Sequence, residues 1–165
     1  MSARQGVLGE QITNAIRRAH AKGDPALVAY LTAGYPSKVL FTEHLRAVAS
    51  SADVVEIGVP FTDPMADGVT IQRSSQGALA QGVSLRWILS ELTNMPKVSA
   101  PWLLMSYLNP LLAFGVERLP DAAAKASLSR SLSSTGMSGT MKPFTPALAA
   151  ASGSRSTPNA SSGLR

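Results

Sequence analysis

A single carboxylate inside a short apolar run constrains this chain most. The run is Val54-Val55-Glu56-Ile57-Gly58, followed by Val59-Pro60-Phe61-Thr62-Asp63-Pro64-Met65-Ala66-Asp67-Gly68. A Glu among Val and Ile either faces water or sits in a pocket that uses its ionisation. The Pro and Gly residues that follow end the strand and release the backbone into a loop. The segment therefore reads as a strand that delivers an acid to its own C-terminal end, with a loop bringing Asp63 and Asp67 nearby. In parallel α/β folds active sites are built at that end of the strands.

The rest of the first 126 residues alternates in the same way. Leu8, Ile12, Ala15, Ile16 and Ala19 recur at helical spacing, and Gly23-Asp24-Pro25 stops them. Leu27 to Thr32 predicts a strand, Phe41 to Ala49 a helix, and Val54 to Gly58 the second strand. Two helical pieces, Ile71 to Ala80 and Leu85 to Leu92, flank Gly82. Trp102 to Tyr107 predicts a third strand, and a helix from about Val116 to Ala126 closes the series. Such alternation predicts an α/β fold with a parallel sheet. Strand parity places Val55, Ile57 and Val59 under helices, with Val54, Glu56 and Gly58 on the opposite face. Tyr30 shares that second face, and Met105 and Tyr107 lie together on one face of the third strand.

Composition changes at Ser127. Residues 127–165 hold eleven Ser, a single aromatic residue (Phe144) and no acid, together with Arg130, Lys142, Arg155 and Arg165. That segment carries +4 of the formal net charge of +5. The basic excess is thus confined to scattered tail cations, a poor surface for tracking phosphates, and nucleic acid is not expected as a partner. The same composition cannot offset the entropy of folding, so 127–165 is expected to be a low-complexity, disordered tail with no strand in it. An out-of-frame translation of a GC-rich gene would give this Ser, Arg, Pro, Ala and Thr mixture, so a frameshift is expected rather than an evolved tail. The chain has no Cys, starts Met1-Ser2-Ala3-Arg4 without a secretory signal, and has no apolar run long enough to span a bilayer. A cytoplasmic protein is expected.

Three stretches resemble one family in order and spacing: VAYLTAGYPS (Val28–Ser37), VVEIGVPFTDPMADGVTIQ (Val54–Gln72) and LLMSYLNPLLAFGVERL (Leu103–Leu119). They are similar to the tryptophan synthase alpha subunit, and the resemblance runs from about Leu8 to Ala126. Members of that family are (β/α)8 barrels, which need about 250 residues. The resemblance therefore implies an incomplete barrel: an N-terminal helix and about three β/α units over residues 1–126. It implies a lyase of tryptophan biosynthesis that cleaves indole-3-glycerol phosphate to indole and glyceraldehyde 3-phosphate. The truncated chain by itself is expected to be inactive, and the alternative is a non-catalytic module that binds the beta subunit. The family's phosphate site comes from loops after the seventh and eighth strands, which have no counterpart here.

By motif, Glu56 matches the family's acid/base and Asp67 the carboxylate that receives the indole N–H. Asp67 before Gly68 and Asp63 before Pro64 also suit plain turns. The resemblance places Tyr30 and Met105 beside the indole ring, whereas inward apolar residues are commonly core. It places Asp63, Pro64, Asn109 and Pro110 at the beta-subunit contact, although Asn109-Pro110 also reads as a turn. No metal and no cofactor of its own is expected, since pyridoxal phosphate would belong to the beta subunit of an alpha2-beta2 tetramer. His20 and His44 read as surface residues on helices.

Overall fold

The computed structural model describes residues 3–128 and 132–133, with side chains described over residues 10–128. Apart from the two residues at 132–133, the expected tail beyond residue 128 lies outside the described residues. In chain order the elements are α1 (Ala3–Ala21), β1 (Val28–Thr32), α2 (Phe41–Ser51), β2 (Val54–Gly58), α3 (Val69–Ala80) and α4 (Leu85–Asn94). They continue with β3 (Trp102–Met105), α5 (Leu108–Phe114), α6 (Leu119–Lys125) and β4 (Leu132–Ser133).

Local chemistry accounts for the helices. On α4, Leu85, Ile88, Leu89 and Leu92 are buried at helical spacing. Ser84 caps that helix, its side-chain oxygen accepting the Trp87 N–H at 3.3 Å. Phe41, Leu45 and Ala49 line the buried side of α2. Between α3 and α4 the backbone turns at Gly82 with φ +73°, a left-handed conformation that Gly adopts without steric cost.

The four strands are parallel and ordered β1-β2-β3-β4, as in a segment of a barrel wall. Tyr30 pairs with Glu56, Glu56 with Leu103, and Gly58 with Met105. Side-chain alternation then sorts the faces as expected. Val55 and Ile57 (both 0% exposed) join Trp102 and Leu104 in a core with α2 and α4, and Glu56 points to the other face. Val59 is the exception: it packs with that core and also borders the cavity described below.

Three differences from the sequence reading have physical reasons. First, β3 ends at Met105, and Asn109-Pro110 is not a turn but the first turn of α5. Proline is tolerated there because the opening N–H groups of a helix have no intrahelical acceptor. Second, the following helix begins at Leu119 rather than near Val116, because Gly115 with φ +101° ends α5 and a turn leads into α6. Third, a strand does follow Ala126: Leu132 and Ser133 pair with Leu104 and Met105. A ladder is made by backbone groups, so two residues of a polar stretch can add to it without apolar patterning. The core likewise passes Ala126. The Trp102 indole N–H donates to the Ala126 carbonyl at 3.2 Å, and Leu128 is buried.

Candidate active site

The strand ends build the site. The ladder continues past the strands, with the Ala33 N–H donating to the Gly58 carbonyl at 2.9 Å and the Val59 N–H to the Met105 carbonyl at 2.8 Å. These bonds fix the point at which each loop leaves the sheet. Over the C-terminal end of the sheet lies a cavity of about 290 Å³. Tyr30, Glu56, Asp67, Met105 and Tyr107 all line it, although they come from β1, β2, the loop after β2, β3 and the residue preceding α5. Asp67 thus borders the cavity as well as closing a turn with Pro64.

Glu56 is half-buried, and burial raises its carboxyl above the ordinary range. It can keep a proton at a pH where an exposed Glu has lost it. The Tyr30 phenol is also raised, mainly by burial, opposed by a hydrogen bond from Thr32 and reinforced by the charges of Asp67 and Glu56. Both carboxyls thus act electrostatically on one ring. That ring lies over Gly58: a methyl there would overlap the Tyr30 hydroxyl and approach ring atoms to 2.5 and 2.8 Å. Thr32 holds the phenol from behind at 3.4 Å, and its own hydroxyl shares a 2.7 Å buried hydrogen bond with Ser74 of α3.

Val59, Ile71, Ser75 and Ser106 also line the cavity and were not anticipated. Ile71 and Ser75 are four apart on α3 and so share a face. A helix that follows a site loop must lay one face over the strand ends, which is the signal that could have found them. Ser106 directly follows β3 and is 2% exposed. Among the expected partner contacts, Asp63 and Asn109 are exposed and Pro110 is half-buried. Pro64 is buried within the loop.

A larger depression of about 570 Å³ lies between α4 and the α5–α6 region and contains none of the expected site residues. Its lining is mixed in charge, with Arg86, Arg118 and Lys125 beside Glu117 and Asp121. His20 is exposed and His44 half-buried, and the described residues contain no group of three side chains able to hold a metal. No helix among the described residues is long and apolar enough to cross a membrane.

Comparison with known proteins matches this arrangement. The family model for the tryptophan synthase alpha chain matches residues 16–132, passing the expected end of the resemblance at Ala126. The tryptophan synthase alpha chain of Nitratidesulfovibrio vulgaris (strain Hildenborough) is 47% identical over 115 residues, covering 68% of this chain and 45% of that protein. That of Dechloromonas aromatica is 43% identical over 121 residues, covering 72% and 45%. Among solved structures, tryptophan synthase subunit alpha from Legionella pneumophila (strain Paris) superposes with a TM-score of 0.66 at 33% identity, covering 72% of this chain and 46% of that one. The aminoacrylate-bound tryptophan synthase of Mycobacterium tuberculosis superposes with a TM-score of 0.66 at 32% identity, covering 72% and 49%. This chain thus spans about half the length of the relatives it matches, 45% in the first case. An incomplete (β/α)8 barrel whose strand ends gather Glu56 and Asp67, together with a family match over 16–132, leads to one conclusion: the chain belongs to the tryptophan synthase alpha chain family.

Proposed function

We propose that this chain carries the carboxyl pair of a carbon–carbon lyase that cleaves indole-3-glycerol phosphate to indole and glyceraldehyde 3-phosphate in tryptophan biosynthesis. One observation carries the reading: Glu56, with its carboxyl raised by burial, shares a cavity with Asp67 between Tyr30 and Met105. Indole is a poor leaving group as a carbanion. Protonating C3 of the ring by the Glu56 carboxyl turns the ring into an electron sink. The Glu56 carboxylate then takes the proton from the adjacent glycerol hydroxyl. Its O–H electrons form the aldehyde carbonyl, and the C–C bonding pair returns to the ring as indole leaves. Asp67 accepts the indole N–H and offsets the positive charge that develops there. Two carboxyls in unlike environments suit this division of roles. Tyr30 and Met105 flank the ring.

The partner in this reading is the beta subunit, in an alpha2-beta2 tetramer in the cytoplasm, contacted through Asp63, Asn109 and Pro110. The Ala66 N–H donates to the Tyr107 hydroxyl at 3.3 Å, which joins the loop after β2 to the start of α5. Beside these two residues, Met65 and Leu108 are 81% and 51% exposed. Such apolar side chains at a loop junction suit a docking surface, and they also favour the second reading, a non-catalytic module that binds the beta subunit. An indole-release assay separates the two. Residues 1–128 are joined to the part of the Nitratidesulfovibrio vulgaris relative that follows its matched segment. The completed barrel should cleave indole-3-glycerol phosphate, and Glu56→Gln should lower kcat by about 10²- to 10⁴-fold. Activity within tenfold of the parent would remove Glu56 from the chemistry.

A further inference from the structure

The geometry points to Gln72 as the positioning residue that holds Asp67 in the cavity. What Asp67 does there rests on the lyase reading; how it is held does not. The loop from Val59 to Gly68 is anchored at its start by the Val59 bond to Met105, but its own backbone bonds do little to place Asp67. Thr62, Asp63, Met65, Ala66 and Gly68 are exposed, and the internal backbone bonds are short-range ones: Met65 N–H to the Asp63 carbonyl and Asp67 N–H to the Pro64 carbonyl, both 3.0 Å. Bonds of that kind shape a turn but do not orient it against the sheet.

Gln72 supplies the orientation. Its backbone N–H donates to the Gly68 carbonyl at 3.0 Å, which seats the residue in the first turn of α3. From there its side-chain nitrogen donates to the Asp67 carbonyl at 2.9 Å and to the Pro64 carbonyl at 3.4 Å. Both acceptors are backbone carbonyls, so the atom facing them must be the amide nitrogen and not the amide oxygen. Its two N–H groups match two acceptors. The Pro64 carbonyl thus receives both the Asp67 N–H and the Gln72 amide, closing residues 64–67 into one stitched unit. From the other side, the Tyr107 hydroxyl accepts the Ala66 N–H, and the Tyr107 ring stacks on Phe61 at 4.8 Å between centroids. Gln72 itself does not line the cavity, so it acts through Asp67. A neutral double donor is needed: a carboxylate at 72 would face two carbonyl oxygens, and a Met of similar length would offer no donor.

Amide exchange on the isotope-labelled 165-residue chain tests this, comparing Gln72→Met and Gln72→Glu with the parent. In Gln72→Met the protection of the Asp67 N–H should fall roughly tenfold, the worth of an ordinary hydrogen bond. The ladder amides of Ala33 and Val55 should change by less than about twofold. In Gln72→Glu protection at Asp67 should be lost at about pH 7 and regained near pH 4, where the carboxyl again carries a proton to donate. A residue that merely packs would show no such recovery, so its absence overturns the proposal even if the Met variant loosens everywhere. Unchanged Asp67 protection in Gln72→Met also overturns it. No substrate enters the experiment, so failure here leaves the lyase reading standing, and an inactive completed barrel leaves this result standing.

Discussion

Gly58→Ala is the most informative single change, because the structure gives one steric reason for glycine at that position. Gly58 is not among the residues with positive φ, so alanine faces no backbone strain there. The obstacle is Tyr30, whose hydroxyl would overlap the new methyl and whose ring atoms lie 2.5 and 2.8 Å from it. Tyr30 is 37% exposed, so a large part of its ring is covered and must move. An aromatic side chain with that coverage buries roughly 100 Å². At about 25 cal/mol/Å², full displacement into solvent would cost about 2.5 kcal/mol, which is a ceiling. A partial swing costs less, so about 1–2 kcal/mol is expected, within the usual range for overpacking. The prediction sharpens in a double-mutant cycle. With Tyr30→Ala already present the overlap is gone, and Gly58→Ala should become neutral or stabilising by about 0.5–1 kcal/mol, since alanine costs less chain entropy than glycine in a strand. Urea unfolding of the four proteins followed by circular dichroism supplies the cycle. Equal effects of Gly58→Ala in both backgrounds would show that the Tyr30 ring is not what requires the glycine.

Asp67→Asn in the completed barrel should reduce indole release by about 10²-fold or more through loss of the charge opposite the ring N–H, measured as kcat; an unaltered rate would return Asp67 to turn formation. Glu56→Gln should affect stability in a pH-dependent way. Because burial raises the native pKa of Glu56 above its unfolded value, the native state holds the proton more tightly, and stability falls as pH rises through the window between the two values. The cost is absent below the unfolded value, about 4.3, and complete above the native one. The Gln variant should therefore melt above the parent at pH 7 and together with it near pH 3.5, and the opposite order at pH 7 would contradict the burial argument. Leu45, 0% exposed between α2 and the sheet, should cost about 2–5 kcal/mol as Leu45→Ala in the same urea assay.

Local patterning alone was enough for the element series from α1 to β3 and for the parity of the strands. Val55 and Ile57 against Glu56 is a two-residue alternation, set by the pleat of a strand and readable without any neighbour. The motifs around Val28, Val54 and Leu103 likewise carried the family. The local code misread Asn109-Pro110, because a proline that ends most helices is also accepted in the first turn of one. It missed Leu132–Ser133, because ladder pairing is paid in backbone bonds rather than apolar side chains. Tertiary structure alone decided that Asp67 faces the cavity, that Tyr30 lies over Gly58, and that Gln72 reaches back to Asp67. Asp67 before Gly68 looks the same in a bare turn and in a site; the difference is made by partners such as Tyr107, 41 residues from the loop residue it bonds. Such contacts depend on the register of parallel strands, which forms only when the segments between them fold back, and no periodicity within a single segment records it.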